Sequence, residues 1–231
     1  MLIIWALYDH AMPPATRRDR RRIETIAEIK ATALRHLIAD GVDAVSLRAI
    51  ARDLGMASGS AYNYFETREA LLAAVAVDLR ADLARGLADA RATAADAHGE
   101  LLAHGTAYRE WALTHPNEFR LIFSAAAQHA DATGDYDLCL GLVGLAATAR
   151  PAEGGHSYDW SDMNMEFTAI ARERFPDLQP TTLALALRIW GRMHGLVTLE
   201  IDGVLRPQIS NPAMLYHEEL EALSASLGLT T

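Results

Sequence analysis

Two short predicted helices joined by one glycine constrain this chain more than any other part of its sequence. Residues 46–65 read SLRAIARDLGMASGSAYNYF. The apolar residues of 47–54 fall at helical spacing, and Ser46 suits the N-cap because its hydroxyl can accept from an unpaired amide. Gly55 follows where a helix ends in the left-handed conformation, which costs least without a Cβ atom. With a second helix over 57–65, the pattern predicts a helix-turn-helix.

The outer side of the second predicted helix carries hydroxyl and amide groups. Short polar side chains can bond base edges in the major groove of DNA, and a glycine among them lets the backbone come close. A hairpin of helices that only packs would leave these exposed serines and tyrosines without a purpose. Other contacts would hold phosphates without reading sequence. The expected base contacts are Ser58, Gly59, Ser60 and Asn63, and the expected phosphate contacts are Arg17, Arg18, Ser46, Arg48, Tyr62, Tyr64 and Arg68.

The charge of the chain is unevenly divided. The net charge of −9 at first argues against a DNA-binding protein. Residues 1–68, however, carry 10 Lys+Arg against 8 Asp+Glu, whereas residues 69–231 carry 11 against 22. Five arginines lie within 17–22, just before the first predicted helix, as an arm that can neutralise phosphates or enter the minor groove. The alternative is a solvated basic tail, which would be preferred if the helix-turn-helix were missing.

The order of motifs around this segment resembles the DNA-binding domain of TetR-family transcriptional repressors. An amphipathic helix that ends near Gly41 is followed by the pattern G-x-x-x-x-S-L-x-x-I-A. The pattern L-G-M-x-x-G-x-x-Y-x-Y-F then begins at Leu54, and Arg68 precedes L-L. The resemblance implies an all-α protein in which a three-helix helix-turn-helix DNA-binding domain is followed by a larger helical ligand-binding and dimerisation domain.

We expect three parts along the chain. A flexible N-terminal segment covers 1–16, the helix-turn-helix domain covers 17–67, and the ligand-binding and dimerisation domain covers 68–231. The first residues are apolar, but they are too few to cross a bilayer and they lack the basic leader of a secretory signal. Either Met12 is the true start, or the segment is a genuine extension that packs on the protein.

A second signature lies at 189–203, which reads IWGRMHGLVTLEIDG. It resembles the TetR C-terminal domain type named for Trp190, His194 and Gly195, and HPNEFRLIF at 115–123 fits the same type. Since Gly195 lies four residues after another glycine, on one helical face, another helix can approach closely there. For His194 the preferred interpretation is a core histidine satisfied by a backbone carbonyl, ahead of a ligand contact. Metal binding is the weakest interpretation.

By the same resemblance, the chain is expected to form a homodimer that leaves a palindromic operator when a small molecule binds. The last two predicted helices, 180–202 and 212–227, would pair with their symmetry mates. Candidate interface contacts are Leu183, Leu187, Leu215, Leu220 and Leu223. The candidate ligand pocket is apolar, which suggests a hydrophobic effector, although the same residues equally describe a core. They are Trp111, Phe119, Phe123, Met163, Phe167, Trp190, Met193 and His194.

Two other functions remain open at this point. One is a ligand-independent helix-turn-helix regulator whose second domain only dimerises, expected if no cavity exists after residue 95. The other is an enzyme on a helical scaffold, which has little support because no GxSxG, Walker or GxGxxG segment is present. The nine histidines form no i,i+3 or i,i+4 pair, and the single Cys139 permits no intrachain disulfide. We therefore expect no metal, no cofactor and a cytoplasmic protein.

Overall fold

The computed structural model describes residues 16–124, 127, 133–149 and 157–229 of the chain. The predictions for residues 1–15 lie outside the described residues. All regular structure within the described ranges is helical, which confirms the expected all-α class. None of the described helices is long and apolar enough to span a membrane.

The first helix begins earlier than the sequence predicts. α1 (Arg17–Asp40) starts at a capping box, in which the Thr16 hydroxyl accepts from the Asp19 amide and the Asp19 carboxylate accepts from the Thr16 amide. These bonds satisfy two of the amides that a helix start leaves unpaired. The five arginines of 17–22 therefore form the first turns of α1, and the predicted arm ahead of the helix is wrong.

The second half of the helix-turn-helix is also shorter than predicted. α2 (Leu47–Asp53) is followed by Gly55, whose φ of 65° confirms the left-handed position. Ser46 occupies the N-cap of α2, but its hydroxyl makes no capping hydrogen bond. The predicted α-helix over 57–65 is wrong, because Ser60–Asn63 form only a 3₁₀ turn. The serines and glycines of this stretch favour turns, since serine hydroxyls compete for backbone bonds and glycine loses the most entropy in a helix.

One long helix, α3 (Arg68–Ala92), joins the head, which we define as residues 16–67, to the rest of the chain. The Thr67 hydroxyl caps it by accepting from the Ala70 amide at 3.0 Å. The buried apolar residues of α3 run from Leu71 to Leu87. A single hydrophobic core therefore continues from the head into the second part of the chain.

Six further helices build that second part. They are α4 (Ala97–Thr114), α5 (Pro116–Ile122), α6 (Thr133–Thr148), α7 (Met165–Arg174), α8 (Pro180–Ile201) and α9 (Pro212–Ser226). α3 packs against α1 in the head and against α4, α5 and α6 in the second part. α8 packs against α4, α6 and α9. Each fully buried leucine in this arrangement contributes about 1.5–3 kcal/mol of transfer free energy.

Polar contacts and one glycine tie α4 to the last two helices. Arg109 on α4 pairs with Glu200 on α8, with Nε to Oε2 at 2.7 Å and Nη2 to Oε1 at 2.5 Å. The Tyr216 hydroxyl on α9 donates to the Gly105 carbonyl at 3.1 Å. A Cβ atom at Gly105 would lie 2.5 Å from Leu220 Cδ2. The missing side chain at Gly105 therefore permits the close approach of α4 and α9.

The outer face of α8 and α9 differs from the predicted interface. Leu183, Leu220 and Leu223 are buried inside the chain, so the prediction that they contact a partner is wrong. The apolar sides of α8 and α9 pack instead on each other, on α4 and on α6. Leu187 stays exposed. Gly195 is exposed too, and no described atom lies within 4 Å of a Cβ built there, so another helix of this chain does not approach it.

Gly105→Ala should lower the free energy of unfolding relative to Gly86→Ala. Both glycines lie inside helices, so alanine improves helix propensity in each case by about 0.5–1 kcal/mol. No described atom surrounds a new Cβ at Gly86, whereas at Gly105 it meets Leu220. Overpacking of this kind costs about 1–3 kcal/mol. Denaturant unfolding of both variants measures the difference, and equal midpoints would show that Leu220 moves aside without cost.

Candidate DNA-binding surface and effector site

The predicted base-contact residues lie together on the outside of the head. Ser58, Gly59 and Asn63 are exposed, and Ser60 is half-buried. Between them Ala61 is fully buried, so a methyl group anchors the 3₁₀ turn to the core and the polar side chains face outward. No described atom lies within 4 Å of a Cβ built at Gly59. The turn therefore presents an accessible polar edge to a partner.

Arginines of α1 lie beside this turn. The Arg22 guanidinium carbon is 5.2 Å from the centre of the Tyr64 ring, a cation–π contact, and Nη1 donates to the Asn63 carbonyl at 3.4 Å. The start of α1 and the end of the turn line a cleft of about 830 Å³. Its lining residues are Arg17, Arg18, Asp19, Arg21, Arg22, Thr25, Asn63 and Tyr64. Predicted base and phosphate contacts thus share one surface.

The positive charge at the start of α1 is poorly compensated within the head. Five arginines lie in 17–22, at the helix end whose dipole is positive and disfavours cations. Asp19 is the one acidic residue of the first turn. Hydrogen bonds from the Thr16 side chain and backbone amide lower the pKa of the Asp19 carboxyl, so it remains ionised. Phosphate groups of DNA would neutralise the remaining charge.

Arg68 is held differently from the other predicted phosphate contacts. Its Nε donates to the Val45 carbonyl at 2.9 Å, and its Nη2 donates to the Val42 carbonyl at 2.5 Å. Both carbonyls belong to the segment between α1 and α2, so Arg68 fixes the start of α3 against that segment. The remaining predicted phosphate contacts are Ser46, which is half-buried, and Arg48 and Tyr62, which are exposed.

Five rings from α4, α5, α8 and the residue that follows α5 pack together, and we call them the aromatic cluster. They belong to Tyr108, Phe119, Phe123, Trp190 and His194. Contacting ring centres lie 4.5–6.4 Å apart, in tilted, edge-on or stacked pairs. Four of the five are predicted pocket residues. Tyr108 was not among the predicted residues, although its position on the buried side of α4, with Leu101 and His104, was an available signal.

The remaining predicted pocket residues have other surroundings. Met193 is buried on α8, and Phe167 is half-buried on α7. Trp111 stacks on His115 with ring centres 5.1 Å apart. Met163 lines a second cleft, of about 1050 Å³, beside α7. The structure therefore does not bring all of the predicted pocket residues together.

A hydrogen bond joins Tyr108 and His194 inside the aromatic cluster. Tyr108 Oη and His194 Nδ1 are 2.7 Å apart. Burial lowers the pKa of His194, and burial raises the pKa of Tyr108 far above its usual range, against a smaller lowering effect of a hydrogen bond with Trp190. Both side chains are therefore neutral, and the phenol donates to Nδ1 when His194 carries its proton on Nε2. The predicted backbone-carbonyl partner of His194 is wrong, because α4 brings a phenol within reach.

A second polar pair lies one helical turn away. His104 comes four residues before Tyr108, so the two side chains share a face of α4. His104 is only 2% exposed, and Arg91 Nη1 on α3 lies 2.5 Å from its Nδ1. Burial and, to a smaller extent, the charge of Arg91 lower the pKa of His104 to about 3. The imidazole is therefore neutral and accepts a hydrogen bond from the guanidinium.

Neither a metal cluster nor a reactive thiol occurs in the described part of the chain. No group of three His, Cys, Asp or Glu in these ranges could hold a metal ion. Cys139 is buried, and burial raises the pKa of its thiol to about 12. Because the thiolate is the nucleophilic form, this thiol is unreactive near neutral pH.

Comparison with known proteins gives one consistent result. Bacterial regulatory proteins of the tetR family match as a family over residues 29–75, and the tetracyclin repressor-like C-terminal domain matches over residues 101–223. HTH-type transcriptional regulators of Mycobacterium tuberculosis and Mycobacterium bovis are 30% identical over 225 residues, covering 91% of this chain and 95% of theirs. The solved structure of the regulatory protein SCO4313 has a TM-score of 0.65 at 27% identity, covering 91% of this chain and 100% of its own. A TetR variant of Acinetobacter baumannii solved with minocycline shares the fold, with a TM-score of 0.53 at 16% identity, covering 88% of this chain and 97% of its own.

We expect His104 to make the folded chain less stable in acid. Its pKa is about 3 when folded, against the ordinary value of 6.5 that applies when unfolded. Between these values the unfolded chain binds a proton that the folded chain does not. The free energy of unfolding therefore falls as the pH drops, by up to about 1.4 kcal/mol per pH unit.

His104→Gln keeps an acceptor for Arg91 but cannot be protonated, so it should lose less stability in denaturant titrations from neutral pH down to about pH 4. Equal losses in both proteins would contradict a buried neutral imidazole.

Proposed function

The chain belongs to the TetR family of bacterial helix-turn-helix transcriptional regulators, and on this basis we propose that it is a repressor which leaves a palindromic operator when a small hydrophobic ligand binds. Its curated relatives are regulators rather than enzymes. The observation that carries the proposal is the joined surface of the polar 3₁₀ turn and the arginine-rich start of α1. The proposed location is the cytoplasm, and no cofactor is required.

The 3₁₀ turn is the proposed reading element in the major groove. Ser58, Ser60 and Asn63 offer donors and acceptors to base edges, and Gly59 lets the backbone come close. A turn of four residues presents fewer side chains to the groove than a full helix does. The amide of Asn63 carries most of the proposed discrimination, because it can bond both N6 and N7 of adenine.

The start of α1 is the proposed clamp on the DNA backbone. Arg17 and Arg18 line the cleft beside Tyr64, where phosphates would meet several donors at once. Tyr62, which is exposed, can donate to a phosphate from the other side of the turn. Arg68 has two donors committed to backbone carbonyls, so its proposed part is to orient the turn between α1 and α2.

A route from the aromatic cluster to the head runs through α5. Phe119 belongs to the cluster, and Asn117 Nδ2 donates to the Ile38 carbonyl of α1 at 3.2 Å. The buried Arg80 of α3 donates to the Ile122 carbonyl at the end of α5 at 2.6 Å. A ligand that displaces α5 would therefore act on both α1 and α3. Since the coupling is reciprocal, operator DNA would weaken ligand binding by the same factor.

The proposed dimer uses the exposed face of α8 and α9. Leu187 and Leu199 on α8 are each 40% exposed, and Met214 on α9 is 57% exposed. Gly195 lies on the same accessible side of α8, where the backbone of a partner helix can come close. An apolar face with small residues suits self-association around a two-fold axis, which would present two reading turns to a palindrome.

A ligand-independent regulator is the second candidate. The rings of the aromatic cluster touch one another, with Phe123 and His194 centred 4.5 Å apart, so they fill the space between α4, α5 and α8. This filling favours a domain that only dimerises. If the domain binds a ligand at the cluster, at least one ring has to move to make room for it. The similar structure solved with minocycline supports the proposal that this fold can hold a small molecule.

Selection from randomised DNA tests the function directly. The full chain should enrich a palindrome whose half-sites are about 34–36 Å apart. Asn63→Ala should cost about 1–3 kcal/mol and relax preference at one position of each half-site. Arg17→Ala combined with Arg18→Ala should instead weaken specific and random DNA alike, and lower the salt slope by about one unit per lost contact. Failure to enrich any sequence would reject the proposed function.

Gly195→Leu tests the dimer. Leucine adds a large side chain where two backbones are proposed to meet, and overpacking typically costs about 1–3 kcal/mol. Gly86→Leu is the matched control, because Gly86 is also an exposed helical glycine with open space around it. Sedimentation should find the Gly195 variant shifted towards monomer and the Gly86 variant unchanged. A dimeric, operator-binding Gly195→Leu protein would remove this face from the interface.

A further inference from the structure

The cleft beside α7 has room for a molecule, whereas the rings of the aromatic cluster fill the space between them. Its volume of about 1050 Å³ is close to the upper end of the roughly 300–1,000 Å³ that small-molecule sites occupy. Its walls come from α7, from the 3₁₀ turn Trp160–Asp162 that precedes α7, and from Pro176 after the helix. A ligand can therefore enter this cleft without displacing a ring of the aromatic cluster.

Apolar side chains form most of the lining of this cleft. Five of them belong to Trp160, Met163, Met165, Ala169 and Pro176. Met165 is 85% exposed, more than any other large apolar side chain in the described part of the chain. Methionine is flexible and polarisable, so it adapts its shape to an apolar partner. A molecule in the cleft would take this side chain out of water, which is favourable.

The groups that line the cleft share a preference for aromatic partners. The thioethers of Met163 and Met165 make favourable contacts with ring edges, and an indole pairs with other rings. The Arg172 guanidinium carbon lies 5.2 Å from the centre of the Trp160 ring, a cation–π contact that holds the indole in the wall of the cleft. An aromatic molecule would therefore bind here more tightly than a saturated molecule of the same skeleton.

The charged side chains of the cleft favour a neutral molecule. Arg172 and Glu173 both line it, and both are exposed. Because they carry opposite charges, a charged ligand would be attracted by one and repelled by the other, and water screens both interactions. The cleft therefore differs from the arginine-rich cleft of the head, whose charge attracts anions.

One residue in the wall of the cleft has a buried hydroxyl without a hydrogen-bond partner. Thr168 lines the cleft, its Oγ1 is buried, and no described donor or acceptor pairs with it. A helical threonine can bond the carbonyl three or four residues earlier, but Thr168 makes no such bond. An unpaired buried hydroxyl costs free energy, which a new partner would recover. Since no hydrogen bond holds the side chain in its rotamer, the hydroxyl can turn towards a polar group in the cleft.

We propose that the cleft beside α7 binds a neutral aromatic molecule with one hydrogen-bonding oxygen. The rings of this molecule lie against Trp160 and Met165, and its oxygen pairs with the Thr168 hydroxyl. The inference rests on the proposed ligand response for its role, and it supplies a site and a chemical class for the ligand. Phe167 and Ile170 of the same helix pack against the hydrophobic core, so a molecule in the cleft acts on a helix that the core also contacts.

Calorimetric titration of the full chain with three probes that share one carbon skeleton tests this proposal. The probes are 2-naphthol, naphthalene, which lacks the hydroxyl, and decahydro-2-naphthol, which lacks the aromatic rings. 2-Naphthol should bind about 2–10-fold more tightly than naphthalene, the factor expected for one neutral hydrogen bond. It should also bind about 2–10-fold more tightly than the saturated alcohol, because that probe loses the ring contacts. Equal affinity for 2-naphthol and either analogue, or no binding of 2-naphthol, would overturn the proposal.

Thr168→Val tests the hydrogen bond, because valine keeps the shape of threonine without its hydroxyl. The variant should bind 2-naphthol no more tightly than naphthalene, and its affinity for naphthalene should stay at the native value. Thr198→Val is the matched control, because the Thr198 Oγ1 is also buried without a partner among the described residues, but this residue lies on α8 and does not line the cleft. The control should keep the native preference. A preference for 2-naphthol that survives in Thr168→Val would overturn the proposal.

Met165→Ser tests where the rings lie, and the exposed position of Met165 lets the variant fold. Serine removes the thioether, so the affinities for 2-naphthol and naphthalene should fall together by about 2–10-fold. Unchanged affinities would place the probes outside the cleft and overturn the proposal. Sedimentation of the same variant tests another occupant. A shift towards monomer relative to the native chain would show that a second copy of the chain covers the cleft, which would also overturn the proposal.

Operator fragments from the selection distinguish this inference from the proposed function. 2-Naphthol should release them from the native chain when it saturates the cleft, and release from Thr168→Val should need about 2–10-fold more of the probe. If no operator is found, the proposed function fails, whereas the titrations still decide the site. If 2-naphthol binds with the expected preferences and the operator stays bound, the site stands and the proposed ligand response is refuted.

Discussion

Burial of one face of α3 along its whole length connects the two parts of this chain. Leucines from Leu71 to Leu87 place the helix in one continuous core. Three arginines project from it at different levels: Arg68 bonds the segment between α1 and α2, Arg80 bonds the end of α5, and Arg91 bonds His104 on α4. Because these contacts share one helix, the proposed ligand response has a direct path through α3 to the head.

The head and the rest of the chain differ in charge. The positive residues of the head crowd the start of α1, where the helix dipole makes them unfavourable without an anionic partner. The remainder of the chain is strongly acidic, so it is repelled by the phosphates that the head attracts. The arginine-rich start of α1 is therefore consistent with an anionic partner that the chain does not itself supply.

Short-range chemistry was sufficient to predict several helix ends. Gly41 and Gly55 take positive φ where the sequence places helix ends. Capping and turn preferences depend on residues within four positions along the chain, so the sequence contains them in full. The early start of α1 has a local signal too, because Thr16 and Asp19 form its capping box. This pair was not used in the prediction.

The interior contacts were decided by the tertiary structure. Tyr108 and His194 are 86 residues apart, and the sequence assigned His194 a backbone partner instead. Helix periodicity places Leu183 and Leu220 on apolar faces but cannot say whether another helix of the chain or a partner covers them; packing buries both inside the chain. Residue types therefore determined the class of protein and the polar surface of the 3₁₀ turn. Which side chains meet across helices depends on how the helices pack. Residues that are far apart in the sequence come together there, so no local sequence pattern predicts these contacts.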